Sequence, residues 1–503
     1  MGAAGVATGP PGVRHGPPII AAPALRRDYA PPVARPPATD RPKRPSARPF
    51  RTYDEAFAWL AARTNYETMA TQRYDDRTYG LARVERLLDQ CGRPDREMDV
   101  AQIVGSKGKG STSAALASIL RASGRRVGLF TSPHLIDPRE RVAVDGAPID
   151  DALMISAVQS LRSHVDDAAA RGEPATFFEI HTVAALIAFR AARCDAVVLE
   201  AGMGGRLDAT TAADACVKVL TSVSLDHTQH LGKTRAAIAG EKAAVARRGV
   251  PFVSGERVGD VAGNVVAEAC RRARAPLVAT GRDFRVERPA TSFDSATGRS
   301  LTTFRLRHDG RALDLAVPLL GVHQARNAAL AAVAARIAGW RGARIDDATI
   351  RAGLAATTIA ARLQCVARDP LVLIDGAHTP ASFGALAGTL RAVLPRRKLV
   401  FVVGMSADKD VAGSLRRLRG AASRIVATAS SQPRAAAPED IAAAARAAGL
   451  SATPVTGVAD ALARARTLAG RHGAVIVTGS LYLCGEALER FPASGRTTPR
   501  RRR

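Results

Sequence analysis

Short apolar runs alternate with helix-patterned stretches along most of this chain, and that alternation limits the fold more than any other feature. Val100-Ala101-Gln102-Ile103-Val104 and residues 126–130, 196–199 and 216–223 each read as a buried strand. Residues 112–122 and 234–246, between such runs, carry helical patterning. Strands that alternate with helices pair in parallel, so a sheet covered on both faces is expected. Residues 301–307 and 311–317 alternate around Asp309-Gly310, a hairpin signal. Residues 323–339 then read as a long Ala-rich helix. After about residue 360 the alternation restarts, with strands expected at 371–374, 398–403, 424–427 and 474–477. The expected class is α/β: a central domain with a parallel sheet, followed by a smaller doubly wound, Rossmann-like C-terminal domain.

Composition sets the boundaries. Residues 1–50 hold twelve of the 29 prolines, with Arg and Ala between them. So little apolar surface does not offset the entropy of ordering, and a solvated tail is expected. Proline also argues against the amphipathic helix of a transit peptide. Residues 491–503 contain five Arg and no acid, a second expected tail. Between them lie the expected domains, 51–357 and 358–490. The two tails carry +11 of the formal charge of +26, and Arg supplies nearly all of it: only eight residues are Lys.

No run of 18 apolar residues occurs, so no membrane-spanning helix is expected, and the N-terminus lacks an apolar leader core. The six cysteines are scattered without a C-x-x-C pair, against a disulfide framework or a cysteine zinc site. A reduced, soluble, cytoplasmic protein is expected, with no membrane partner. The basic charge raises nucleic-acid binding as a candidate. That function wants a basic stripe interleaved with aromatics, and none is evident among two Trp and six Tyr, so no nucleic-acid partner is expected.

The segment most informative about chemistry is Gly105-Ser106-Lys107-Gly108-Lys109-Gly110-Ser111-Thr112, placed between an expected strand and an expected helix. Glycines let backbone N–H groups curl around phosphate oxygens, the helix start adds its positive end, and a lysine pairs with terminal phosphates. The strict Walker spacing is absent: Ile103 stands where its first glycine belongs, and Gly110 separates Lys109 from Ser111. Two lysines here, in a chain that favours Arg, suit a phosphate cradle, which a compact ammonium fits better than a planar guanidinium. The bland alternative is a glycine turn with solvated lysines.

Polar clusters follow three other strands, where α/β proteins build their sites. They are Thr131-Ser132-Pro133-His134-Leu135, Glu200 through Asp208, and Ser224-Leu225-Asp226-His227. A hydroxyl, a carboxylate and a histidine at adjacent strand ends can share Mg²⁺ with nucleotide phosphates. Singly, each has an ordinary reading as a cap, an exposed acid or a satisfied imidazole. Lys242 lies in an otherwise apolar helical stretch; if buried, its lowered pKa would make it a nucleophile for CO₂.

Taken in order, these motifs resemble the folylpolyglutamate synthase and dihydrofolate synthase family of the Mur-ligase superfamily. The resemblance runs from about Asn65 to Leu488 and includes Arg139-Glu140-Arg141-Val142, Thr176-Phe177-Phe178-Glu179 and Gly321-Val322-His323-Gln324 with Asn327. It continues through Asp375-Gly376-Ala377-His378, Met405-Ser406-Ala407-Asp408-Lys409-Asp410 and Gly479-Ser480-Leu481-Tyr482. It implies a P-loop, Mur-ligase-like central domain and a C-terminal glutamate-ligase domain. It also implies an ATP-dependent ligase that joins L-glutamate to a reduced folate or dihydropteroate through an acyl phosphate.

By the same resemblance, residues 105–112 hold ATP, Lys109 contacts the terminal phosphates, and Asn327, Arg362 and Asp375 contact the nucleotide. Ser132, Glu200 and His227 are implied Mg²⁺ ligands. A carbamylated Lys242 is implied at a second metal site. Lys109, Lys242, His227 and His378 are the implied catalytic residues, and His378, Ser480 and Tyr482 lie near the incoming glutamate. A monomer is expected. The chain departs from the family's pattern at Ser106-Lys107, at Thr211, at Thr379 and at Ile359-Ala360-Ala361 before Arg362. Two other readings are another Mur-type amino-acid ligase and a nucleic-acid-binding P-loop ATPase.

Overall fold

A computed structural model describes residues 48–66, 75, 79–342 and 345–491. The expected tails lie outside these residues except at their inner ends. There Phe50 lies tilted against Trp59 with Arg162 over its ring, and Phe491 packs on the C-terminal core. Both phenylalanines therefore belong to the fold rather than to the tails. The described residues from Phe50 onward form one compact unit.

Eight strands build the larger sheet: β1 (Asp99–Val104), β2 (Val127–Phe130), β3 (Val142–Val144), β4 (Ala147–Pro148), β5 (Ala196–Glu200), β6 (Ala215–Leu220), β7 (Phe252–Ser254) and β8 (Leu277–Ala279). Their order is β4-β3-β2-β5-β1-β6-β7-β8. All pairs are parallel except those made by β3 and β4 at one edge. Every residue of β1 and β5 is buried, as a central strand covered on both faces requires. Val100 and Leu199 pack toward the helix Phe177–Ala191. Ala101, Ile103 and Val219 face the helices Lys109–Ala122 and Val322–Ile337. β6 stops at Leu220, short of the expected 223; Thr221 N–H still donates to Val104 O at 2.9 Å, and beyond it the Thr221 and Ser222 hydroxyls bond the loop after β1.

Next comes an antiparallel meander of β9 (Phe284–Asp294), β10 (Arg299–His308) and β11 (Arg311–Val317). The β10–β11 turn has positive φ at Asp309 (52°) and Gly310 (67°), the two-residue hairpin signalled by the sequence. β9 was not anticipated: its residues are mostly exposed or half-buried, so it has no continuous apolar run.

The smaller sheet holds β12 (Gln364–Arg368), β13 (Leu371–Ile374), β14 (Leu399–Val403), β15 (Arg424–Ala427), β16 (Ala452–Pro454) and β17 (Ala474–Thr478). Their order is β12-β13-β17-β14-β15-β16, parallel apart from β12. The four expected strands form its centre; the two unforeseen ones are edge strands, short and only partly covered. Side chains alternate between two cores. Leu373, Phe401 and Ile476 lie on one face, and Val372, Val400 and Val475 on the other. Among the described residues no helix is long and apolar enough to cross a membrane.

Candidate active site

The loops leaving β1, β5 and β6 share one cleft with those leaving β13, β14 and β17. It has a volume of about 560 Å³. Both sheets thus present the C-terminal ends of parallel strands, where helix N-termini and loop donors gather.

The loop after β1 is held from behind. Ser106 N–H donates to Ser222 O at 2.7 Å, and Ser106 Oγ donates to Ser224 O at 3.1 Å. The Thr221 and Ser222 hydroxyls both donate to Lys107 O, at 2.7 and 3.0 Å. Gly105 has φ of 150° and Gly108 of 86°, and a Cβ at either would collide, with Thr221 or with Asn327 respectively. Asn327 therefore seals the back of the loop, its Nδ2 donating to Gln324 Oε1 at 3.0 Å. Lys109 opens the helix Lys109–Ala122 and folds its Nζ back to Gly105 O at 3.3 Å. Ser111 and Thr112 are buried in the first turn, and Thr112 Oγ1 has no hydrogen-bond partner.

Glu200 ends β5 facing this turn, both carboxylate oxygens about 3.6 Å from where a Gly110 Cβ would stand. Burial pushes its pKa up, against the pull of Lys109 and Arg362. Ser132 N–H donates to Glu200 Oε2 at a long 3.4 Å. His227 has a left-handed backbone (φ 50°), a strained state for a non-glycine residue that is held here at the mouth of the cleft. Desolvation and the cations Lys409, Lys109 and Lys107 lower its pKa, while Asp226 opposes them; 41% of its side chain still meets solvent, so the direction is what matters. A neutral imidazole is the form that ligates metal. No three His, Cys, Asp or Glu side chains converge as a cage among the described residues. That fits Mg²⁺, which keeps several waters and binds one or two carboxylates plus substrate phosphates.

Lys242 is 3% exposed and lies behind the loop rather than on the cleft wall. Its Nζ donates to Gly105 O at 3.1 Å and Gly204 O at 3.5 Å, and burial together with Lys109 lowers its pKa to about 7. Carbamate oxygens at the same spot would face two carbonyl oxygens, so carbamylation requires this side chain to swing away from them.

From the smaller sheet come His378, Arg362, Ser480 and Tyr482, all on the cleft wall. Lys107 Nζ lies 2.9 Å from Asp226 Oδ2 and 2.8 Å from His378 Nε2, joining residues 271 positions apart. The other ring nitrogen, Nδ1, lies 2.8 Å from Gly376 O and so carries the proton, leaving Nε2 to accept from Lys107. Burial and Lys107 lower the His378 pKa to about 3. Burial opposes ionisation of Asp226, but Lys107, His227, Lys409 and His378 overcome it and hold its carboxyl well below the usual range.

Arg362 sits between two residues with left-handed backbones, Ala361 (φ 53°) and Leu363 (φ 46°). Asp375 holds that turn: its carboxylate accepts from Leu363 N–H and Ala377 N–H, both at 3.0 Å. Its side chain is spent on the backbone and does not line the cleft. Ser480 caps the helix Leu481–Leu488, its Oγ accepting from Leu483 N–H at 3.0 Å.

Of the residues expected at the site, Ser106, Lys107, Gly108, Lys109, Gly110, Ser132, Glu200, His227, Arg362, His378, Ser480 and Tyr482 line the cleft. Gly105, Ser111, Thr112, Lys242, Asn327 and Asp375 form the layer behind. Sequence reasoning gave no role to Asp226 or Lys409, although one adjoins His227 and the other is among the few lysines. It also passed over Tyr66 and Tyr79, whose rings lie 4.8 Å apart at the far end of the cleft. Nothing in their local pattern marks them.

A nucleotide-type loop facing a second sheet across a polar cleft is the arrangement of a Mur ligase. The chain matches the Mur ligase middle domain over residues 103–335 and the Mur ligase glutamate ligase domain over 361–481. A dihydrofolate synthase/folylpolyglutamate synthase of Mycobacterium tuberculosis is 36% identical over 394 residues, 75% of this chain and 80% of that protein. The chain belongs to the dihydrofolate synthase/folylpolyglutamate synthase family. A probable bifunctional folylpolyglutamate synthase/dihydropteroate synthase of Halobacterium salinarum is 36% identical over 87% of this chain, which spans about half (52%) of that relative. Among solved structures, Mycobacterium tuberculosis folylpolyglutamate synthase complexed with ADP superposes with a TM-score of 0.78 at 32% identity, covering 88% of this chain and 99% of that one. The Yersinia pestis bifunctional enzyme complexed with AMPPNP and Mn ion gives 0.72 at 29% identity, covering 87% and 97%.

Proposed function

We propose that this chain is an ATP-dependent ligase that adds L-glutamate to a folate, taking a reduced folate, dihydropteroate or both as acceptor. The observation that carries the reading is the shared cleft, where the Lys109 loop and Glu200 face His378, Arg362 and Ser480. The nucleotide and Mn²⁺ held by the relatives' structures support ATP and a divalent metal as its ligands. The proposed working regions are 51–357 for the nucleotide and 358–490 for glutamate. All the residues invoked come from one chain, so a monomer suffices.

A carboxylate is a poor electrophile. In the proposed sequence its oxygen attacks the γ-phosphorus, the bond to the β–γ bridging oxygen breaks, and ADP departs from an acyl phosphate. The free N–H groups at the start of the helix Lys109–Ala122, together with the Lys109 ammonium, would offset charge on the transferring phosphoryl group. Ser132, Glu200 and His227, all on the cleft wall, would hold Mg²⁺. When bound, the ion supplies further positive charge at the phosphate oxygens. The neutral amine of glutamate then attacks the acyl carbon, losing a proton as phosphate leaves. With His378 Nδ1 bonded to Gly376 O and Nε2 to Lys107, that ring orients groups rather than removing the proton. Arg362, held by Asp375, and Tyr482 complete the proposed substrate wall.

Carbamylation of Lys242 belongs to the same proposal: a pKa near 7 leaves a neutral amine whose lone pair can attack CO₂ with loss of a proton. The test is ATP-dependent incorporation of labelled glutamate, with dihydropteroate and tetrahydrofolate offered separately. Lys109→Ala should lower turnover by about a hundredfold or more while the thermal midpoint holds. Lys242→Ala should lose activity and partly regain it with added short carboxylates. No incorporation with either acceptor by the parent chain would overturn the ligase reading.

A further inference from the structure

One of the eight lysines, Lys218, is buried in the middle of the larger sheet, 1% exposed, away from the phosphate loop. It stands opposite Gln102 in the β1–β6 register, both on the face that carries Val100. Its Nζ donates to Gln102 Oε1 at 2.7 Å. Burial lowers its pKa to about 7; Arg247 lowers it further and Asp214 opposes.

In its ammonium form Lys218 donates and cannot accept, and Gln102 turns its carbonyl oxygen toward β6 to meet it. Gln102 Nε2 then donates to Thr210 Oγ1 at 2.9 Å and to Thr211 Oγ1 at 2.7 Å. Each threonine, having accepted, donates onward. Thr210 Oγ1 gives its proton to Asp208 Oδ1, and Thr211 Oγ1 to Gly205 O at 2.7 Å. The second Asp208 oxygen accepts from Met203 N–H at 3.0 Å. Every bond in this chain has one direction, on which the lysine at one end and the acceptor oxygens of Asp208 and Gly205 at the other agree.

The far end of the chain is cleft wall. Met203 and Asp208 line the cleft, and Gly204 O meets Lys242 Nζ. Gly205 packs so tightly that a Cβ would come within 2.8 Å of Glu241 O. The 203–208 loop therefore follows Glu200 at the end of β5 and packs directly on the backbone of Glu241 and Lys242, where Arg206 N–H also donates to Glu241 O at 2.9 Å.

We propose that Lys218 is a positioning residue for the ligase reaction: through Gln102, Thr210 and Thr211 it fixes the 203–208 loop, which walls the cleft and packs on Lys242. This rests on the ligase reading above. A lysine that merely filled space would affect stability alone. A positioning lysine separates the two properties, because replacing a buried charge by an apolar side chain of similar length is commonly neutral or stabilising. The loss would fall on Gln102, whose Oε1 would be left without its donor, so that the amide bonding both threonines is held at one end only.

The experiment compares Lys218→Met, Thr210→Val and the double variant in the full chain. Lys218→Met should keep or raise the thermal midpoint, lower kcat for glutamate addition by about tenfold or more, and leave KM for ATP within about twofold. Because the two residues act as one unit, the double variant should be no slower than the slower single. Parental kcat in Lys218→Met, or losses that multiply in the double, would overturn the proposal. If Lys218→Met does not fold, Thr210→Val decides alone: a fall in kcat at an unchanged midpoint supports the proposal and a parental kcat sinks it. An inactive parent chain is a failure of the ligase reading instead. Hydrogen exchange at the Met203 amide then decides for Lys218, faster exchange in Lys218→Met supporting the proposal and unchanged exchange overturning it.

Discussion

Lys109 and Lys242 reach the same carbonyl, Gly105 O, from different elements, so the phosphate loop is braced by two lysine side chains before any nucleotide arrives. His378 shows how strongly such neighbours act on a single side chain. Its folded pKa of about 3 lies below the free imidazole value of 6.5. Between those values the unfolded chain holds a proton that the folded chain does not. The stability this group contributes is therefore complete above 6.5 and falls as pH drops toward 3. His378→Asn should flatten that dependence, reducing the fall in thermal midpoint between about pH 7.5 and pH 5 relative to the parent. An equal fall in both proteins would mean that the ring protonates freely in the fold.

At the scale of elements, helix packing decides how firmly the phosphate loop is mounted. The helix Asp347–Ala355 meets the helix Lys109–Ala122 at Gly353, where a Cβ would run into the Ile119 backbone. Ser118 Oγ donates to Gly353 O at 2.6 Å across the same contact. Backbone cannot give way as a flexible side chain can, so Gly353→Ala should destabilise by about 1–3 kcal/mol, read as a lowered thermal midpoint. An unchanged midpoint would show that the helices part at no cost. These central elements were legible in the sequence because a covered strand needs an unbroken apolar run. The edge strands β12 and β16 and the meander strand β9 lack one, being half solvated, and their pairing follows from neighbours rather than from their own pattern.

For the molecule as a whole, the proposed chemistry lies entirely within 50–491. Removing 1–47 and 492–503 takes away ten net positive charges and leaves every cleft residue among the described ones in place. The rate of glutamate addition and the thermal midpoint should both stay near the parental values. A large loss of rate would mean that the basic segments take part. The cut must spare Phe50 and Phe491, which pack on the two ends of the fold. The +26 charge suggested nucleic acid, yet in the cleft Lys107 and Lys409 face Asp226, a mixed pattern rather than a basic stripe.

What the sequence determined by itself is whatever a few consecutive residues can encode. The strand–loop–helix around Lys109, the strand-end clusters at Ser132, Glu200 and His227, and the central strands of both sheets are of this kind. A hydrogen-bonded turn or a buried run is a local matter, and its residue types announce it. Tertiary structure alone decided which distant groups meet. Lys107 with Asp226 and His378, Lys218 with Gln102, and the retirement of Asp375 and Lys242 to the layer behind the cleft all depend on it. Those contacts span roughly a dozen to nearly three hundred positions and are set by strand order and register, which no local pattern specifies.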